Sequence, residues 1–195
     1  MNSSEGVFTD SPACSHALSE AVAVLKSGGV IAYPTESCFG LGCDPMNRKA
    51  VERILAIKNR PVTQGVILIA SDIDQVNQYA DLESAPLLES IFASWPGPNT
   101  WLLAKRDAVP DWLSGEHTTI AMRVTAHPTS RRLCESYAAA IVSTSANRHG
   151  RPALTDIDSL RFEMGTELDY IVDASIGSDP APSLIRDAIT GHQLR

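Results

Sequence analysis

At 195 residues the chain is long enough to bury one full core and short enough to form a single domain. Its composition, 44% hydrophobic and 20% charged, is that of an ordinary globular protein, and no apolar run approaches the ~18 residues of a membrane span. A net charge of −7 argues against a protein that coats nucleic acid non-specifically.

Residues 1–14 are polar and acidic, without the basic and apolar regions of a secretory signal. They are expected to be a loose lead-in to one domain over residues 15–195, in a cytoplasmic protein with no membrane contact. Leu18, Val22 and Leu25 recur at helical spacing, so 15–27 reads as a helix closed by Gly28-Gly29. Val30 to Tyr33 is a short buried strand, followed by a glycine loop within 38-CFGLGCDP-45. A helix over 48–58 follows, capped by Asn47, with Val51, Ile54, Leu55 and Lys58 on one face and Pro61 as its stop.

Further along, 66–70 is a buried strand and 72–80 a helix that Ser71 can cap. A helix over 86–94 leads into the tight turn of 95-WPGPNTW-101. Strands over 100–105 and 119–124, a helix from His127-Pro128 to about Ala139 and a strand over 140–143 come next. The tail offers strands at 170–173 and 183–189. Strands alternating with helices predict an α/β fold with helices on both faces of a sheet.

Chemistry is sought at the ends of the apolar runs. The glycine stretch after Tyr33 is neither a P-loop nor a dinucleotide fingerprint, and no G-x-S-x-G elbow or H-E-x-x-H pair occurs. The four cysteines, Cys14, Cys38, Cys43 and Cys134, form no C-x-x-C pair; reduced thiols, packing rather than reactivity, and no metal site are expected. Polar clusters stand instead at 34-PTES-37, 58-KNRP-61, Thr119 with Arg123, and 143-STSAN-147. Such clusters converge beyond strand ends in open α/β sheets, and hydroxyls with guanidiniums suit an anionic, polyhydroxylated ligand such as a nucleotide. Each has a plainer reading. Lys58 and Arg60 can offset a helix dipole, 143–147 can be a polar turn, Thr35-Glu36 can cap a turn, and Arg123 can pair with an acid.

Taken in order, 33-YPTESCFGLGCDP-45, 58-KNRP-61, 95-WPGPNT-100, 121-AMRVTAHP-128 and 143-STSAN-147 resemble the YrdC/TsaC family of threonylcarbamoyl-AMP synthases, in its short bacterial form. The resemblance runs from about Val30 to Pro152 and continues more thinly through 183-SLIRD-187. It implies a twisted, mostly mixed sheet around a large open cavity lined by positive charge. The implied activity is nucleotidyl transfer: L-threonine, bicarbonate and ATP condense to threonylcarbamoyl-adenylate and pyrophosphate, for modification of adenosine 37 in ANN-decoding tRNAs. No enzyme nucleophile and no tightly bound cofactor are implied, only Mg²⁺ arriving with ATP. The implied partners are a separate transfer complex of the TsaD/TsaB/TsaE type and contact with tRNA.

Carried over by position, Lys58 and Arg60 stabilise charge and bind ATP together with Thr119, Ser143, Ser145, Asn147 and Arg195, while Ser37, Arg123 and Ser183 bind threonine. Gln64 and Ile69 depart from the family pattern. The competing reading is an RNA-binding module for structured RNA or tRNA, without catalysis.

Overall fold

The computed structural model describes residues 12–179 and 181–194. Eight strands form one mixed sheet in the order β7-β1-β2-β6-β3-β5-β4-β8. These are β1 (Ile31–Pro34), β2 (Phe39–Gly42), β3 (Ile67–Ala70), β4 (Asn99–Ala104), β5 (Thr119–Val124), β6 (Ile141–Ser145), β7 (Tyr170–Ile171) and β8 (Leu184–Asp187). The parallel pairs are β7 with β1, β3 with β5 and β4 with β8; the others run antiparallel. Seven helices pack around the described part of the sheet: α1 (Pro12–Lys26), α2 (Arg48–Lys58), α3 (Ile73–Asn77), α4 (Leu88–Ser94), α5 (Asp111–Ser114), α6 (Pro128–Tyr137) and α7 (Ile157–Met164).

Period-2 alternation divides the central strands between two cores. Ala32, Leu68, Ala70 and Val142 point to one, where they meet Val51 and Ile54 of α2, Leu113 of α5 and Leu160 of α7. Ile31, Tyr33, Ile69 and Ile141 point to the other, where Leu18 and Leu25 of α1 and Leu133 of α6 cover them. The expected cover on both faces is present.

The glycine stretch was expected to be a loop and is instead strand β2. Phe39 and Leu41 enter the α2 core, while Gly40 and Gly42 present the other face to the buried ring of Tyr33. A Cβ on Gly42 would lie 2.7 Å from Tyr33 Cε1 and 3.0 Å from the Val142 carbonyl oxygen. The ring is enclosed and the carbonyl belongs to the sheet, so neither yields easily. Gly42→Ala is therefore expected to destabilise the fold by about 1–3 kcal/mol, read as a lower urea midpoint at unchanged slope.

Other boundaries differ for local reasons. Helix α1 begins at Pro12, so residues 12–14 are helical rather than part of the lead-in. Asp72, not Ser71, caps α3, accepting from the Gln75 amide, and this helix stops at Asn77. Helix α6 ends at Tyr137, where Ala138 turns left-handed (φ 63°). Helices α5 and α7 were not anticipated. In α7 only Leu160 and Met164 are buried, and Phe162 faces solvent at 92% exposure, so its apolar residues form no clean stripe.

Candidate active site

The segment 34-PTES-37 lies at the hairpin connection from β1 to β2. The Thr35 amide and hydroxyl both donate to the Cys38 carbonyl, at 2.9 and 2.7 Å, folding the chain back at once. Ser37 and Cys38 thereby face a cavity of about 530 Å³. Its other walls come from the end of α2 (Lys58, Arg60), from β5 (Arg123), from β6 (Ser143, Ser145) with Asn147 beyond it, and from Ser183 just before β8. Among the described residues that line it there is no aspartate or glutamate, while Lys58, Arg60 and Arg123 supply three cations. In a chain of net charge −7 this concentrates positive potential in one place.

Eight of the ten residues expected at the site meet in this cavity. Thr119 does not line it. It lies on Arg123's side of β5, about 13 Å along at ordinary strand rise. Arg195 lies outside the described residues.

Glu36, first read as a turn cap, is the buried partner of Arg123. One carboxylate oxygen accepts from the Thr125 hydroxyl (2.7 Å) and the Ala126 amide (3.2 Å), and the other stands 3.4 Å from Arg123 Nη2. Burial alone would raise the Glu36 carboxyl. The Arg123 guanidinium, then these donors, outweigh it and hold the group below its ordinary value. The ion pair is loosely made: Arg123 Nε and Glu36 Oε2 are both buried without a hydrogen bond. Arg123 thus lines the cavity while pairing with a carboxylate that is not among the lining residues.

Lys58 is 5% exposed, and each of its three ammonium donors has an acceptor. They are the Ser145 carbonyl at 2.5 Å, the Asn147 carbonyl at 2.9 Å and Asn147 Oδ1 at 2.9 Å. Burial first, and the Arg60 charge second, pull its pKa down to about 8. Asn147 Oδ1 also accepts from the Ser145 hydroxyl (2.7 Å), and its amide nitrogen donates to the Arg151 carbonyl (2.6 Å). Arg60 leans the other way, with Nη2 3.4 Å from the Gln64 carbonyl.

A strap of residues 174–179 holds the hairpin from outside. The amides of Gly177 and Asp179 donate to the Thr35 and Glu36 carbonyls, at 2.8 and 3.2 Å. The approach is close enough that a Cβ on Gly177 would lie 2.5 Å from the Glu36 carbonyl oxygen. His127 accepts the Ser130 amide at Nδ1, so Nε2 donates to the Ser175 carbonyl at 3.2 Å, pinning the strap to the start of α6.

The sequence reading missed Ile67 and His149, gave Glu36 no role beyond a turn cap and noted Gln64 only as a departure from the family pattern; Gln64, Ile67 and His149 line the cavity. The signal for Glu36 was its place in 34-PTES-37, but its partners Arg123 and Thr125 are far off in the chain. A second, larger groove of about 1080 Å³ lies between α2, the 61–65 turn and α5. Its walls mix Leu55, Pro61 and Trp112 with Glu52, Asp111 and Glu116, which outnumber its two cations, Arg48 and Arg60. Those acids make it the poorer place for an anion.

A family model described as "Telomere recombination", for the Sua5/YciO/YrdC proteins, matches residues 23–195. Threonylcarbamoyl-AMP synthase of Coxiella burnetii is 45% identical over 178 residues, covering 91% of this chain and 96% of that protein. The enzyme of the same name from Nitrosococcus oceani is 48% identical over 175 residues, covering 90% and 95%. Among solved structures, P. abyssi Sua5 complexed with L-threonine superposes with a TM-score of 0.80 at 28% identity, over 87% of this chain and 50% of that one. The chain thus spans about half the length of that protein. E. coli YciO gives a TM-score of 0.76 at 26% identity, over 92% and 90%. The chain belongs to the Sua5/YciO/YrdC family.

Proposed function

We infer that the chain is a threonylcarbamoyl-AMP synthase, joining L-threonine, bicarbonate and ATP and releasing pyrophosphate. The observation that carries this is the cavity: three cations, several hydroxyls and, among the described lining residues, no carboxylate, with Arg123 paired to Glu36. The synthases of Coxiella and Nitrosococcus support it, as does the threonine complex of the P. abyssi protein.

In this reading Arg123 takes the threonine carboxylate, since a planar guanidinium matches it in a fork, and Ser37 and Ser183 bind the same substrate. The threonine amine attacks the bicarbonate carbon, and water leaves. The new carbamate oxygen then attacks the α-phosphorus, and the bond to the β-phosphate breaks. Arg60 neutralises charge on the departing pyrophosphate, while Ser143, Ser145 and Asn147 hold the nucleotide. Catalysis is orientation and charge stabilisation, with no protein nucleophile.

Among the described residues no group of three His, Cys, Asp or Glu is arranged to hold a metal. The donors of the cavity fit the triphosphate, and Mg²⁺ belongs to the ATP it arrives with. Also among the described residues, no helix is long and apolar enough to cross a membrane. The product would pass to a separate transfer complex acting on tRNA, in the cytoplasm.

Pyrophosphate release from ATP and Mg²⁺, with threonine and bicarbonate present or omitted, tests the reading. Release that needs both, with the mass of threonylcarbamoyl-adenylate in the product, is expected. No threonine-dependent release, alongside salt-sensitive tRNA binding, would overturn it in favour of the RNA-binding module.

A further inference from the structure

An α-helix leaves its last four carbonyls without intrahelical partners. In α2 each of these finds a donor, and the donors come from two sources. The left-handed turn at Asn59 (φ 51°) brings its own amide to the Ala56 carbonyl and the Arg60 amide to the Leu55 carbonyl, at 3.0 and 2.9 Å. The other two are met from the segment beyond β6. Arg148 Nη1 donates to the Ile57 carbonyl at 3.0 Å, and the His149 amide donates to the Lys58 carbonyl at 2.9 Å. In the reverse direction the Lys58 ammonium gives all three donors to Ser145 and Asn147. Arg148 is braced behind this by an ion pair with Glu167.

We propose that Lys58 is a positioning residue: it ties the end of α2 to the 145–149 turn, so that Arg60 and the Ser145–Asn147 wall are held as one unit, and it acts on the nucleotide through that turn rather than by touching the triphosphate. This rests on the nucleotide reading of the cavity and changes the part that Lys58 plays in it. Pairing directly with phosphate would require Lys58 to leave three acceptors, two of them backbone carbonyls. The turn would then lose the charge that gathers those carbonyls together. Arg60, two residues on, extends past the cap toward the 61–65 turn and lines the cavity.

The two roles separate in how a variant treats ATP and AMP. A residue that touches only the β- and γ-phosphates affects ATP and spares AMP. One that sets the turn affects both equally. For Lys58→Met we expect ATP and AMP affinities, measured by calorimetry, to fall by the same factor, about tenfold, with the ratio between them unchanged. Hydrogen exchange at the His149 amide, bonded to the Lys58 carbonyl, should accelerate at least as much. Arg148→Ala, which removes one cap from outside the cavity, should show the same pattern at about a third of the size. It keeps the test available if Lys58→Met does not fold.

Loss of ATP affinity with AMP affinity and His149 exchange left as in the wild type would overturn the proposal and return Lys58 to the triphosphate. If the wild-type protein binds neither nucleotide, the nucleotide reading itself fails, and the exchange comparison alone decides the tether.

Discussion

Arg60→Ala should lower the rate of threonine-dependent pyrophosphate release by about 10²–10³-fold, the usual cost of removing one group that meets developing charge. The thermal midpoint should stay near that of the wild type. Arg60 reaches the cavity from just beyond the cap of α2, with Nη2 3.4 Å from the Gln64 carbonyl. Its backbone amide, which caps Leu55, is untouched by the change. Lysine at this position should recover only part of the rate, because a point charge cannot span two phosphate oxygens as a guanidinium does. Steady-state release by the folded variant decides the matter: turnover within a few-fold of wild type would remove Arg60 from the chemistry.

Arg123→Met should act on threonine and on the fold together. The side chains of Arg123 and Glu36 are only 9% and 12% exposed, so deleting one leaves the other buried and uncompensated. Breaking such a pair costs about 3–5 kcal/mol, more than the pair itself contributes. The threonine KM should rise at least tenfold while that for ATP changes little. Adding Glu36→Gln should restore much of the stability, since a neutral amide needs no counter-charge, but none of the threonine affinity. That divergence separates the substrate contact from the structural one.

The pH dependence follows from the same pair. In the wild type Glu36 lies below its ordinary value, so its contribution is present above the unfolded carboxyl value and is lost as pH falls through the folded one. In Arg123→Met the chief opposing charge is gone and burial, the largest influence, raises the group. The variant's carboxyl is then protonated at a higher pH than in the wild type, which relieves the uncompensated charge as pH falls. The stability gap between variant and wild type should therefore narrow as pH is lowered through 5 and 4 in urea melts. A gap independent of pH would mean that Glu36 is not the partner that matters.

Local signals carried much of the fold. Asn47 and the stripe from Val51 to Lys58 specified most of α2, because capping and periodicity act within a few residues, while its end is set by the left-handed turn at Asn59, ahead of Pro61. The same reasoning failed at β2. Its glycines answer to the ring of Tyr33 across the hairpin, a tertiary demand that looks like a loop when read locally. At the site, the composition of the clusters was legible, and eight of ten residues converge. The direction in which each side chain points was not. Lys58 turns to carbonyls nearly ninety positions away, and Glu36 reaches across to β5. Nothing near either residue in the chain announces these partners.

The strap over the 35–38 hairpin and the serine before β8 also bear on what the site needs in order to form. Ser183, the sheet-edge strand β8 and the contacts of Gly177 and Asp179 with the Thr35 and Glu36 carbonyls all come from the final stretch of the chain. The same segment completes the cores as well as the cavity, since Val172 and Ala188, both buried, also follow β7. The site is thus shaped jointly by a hairpin near the start of the sheet and by a segment that follows β7, and neither alone makes its walls.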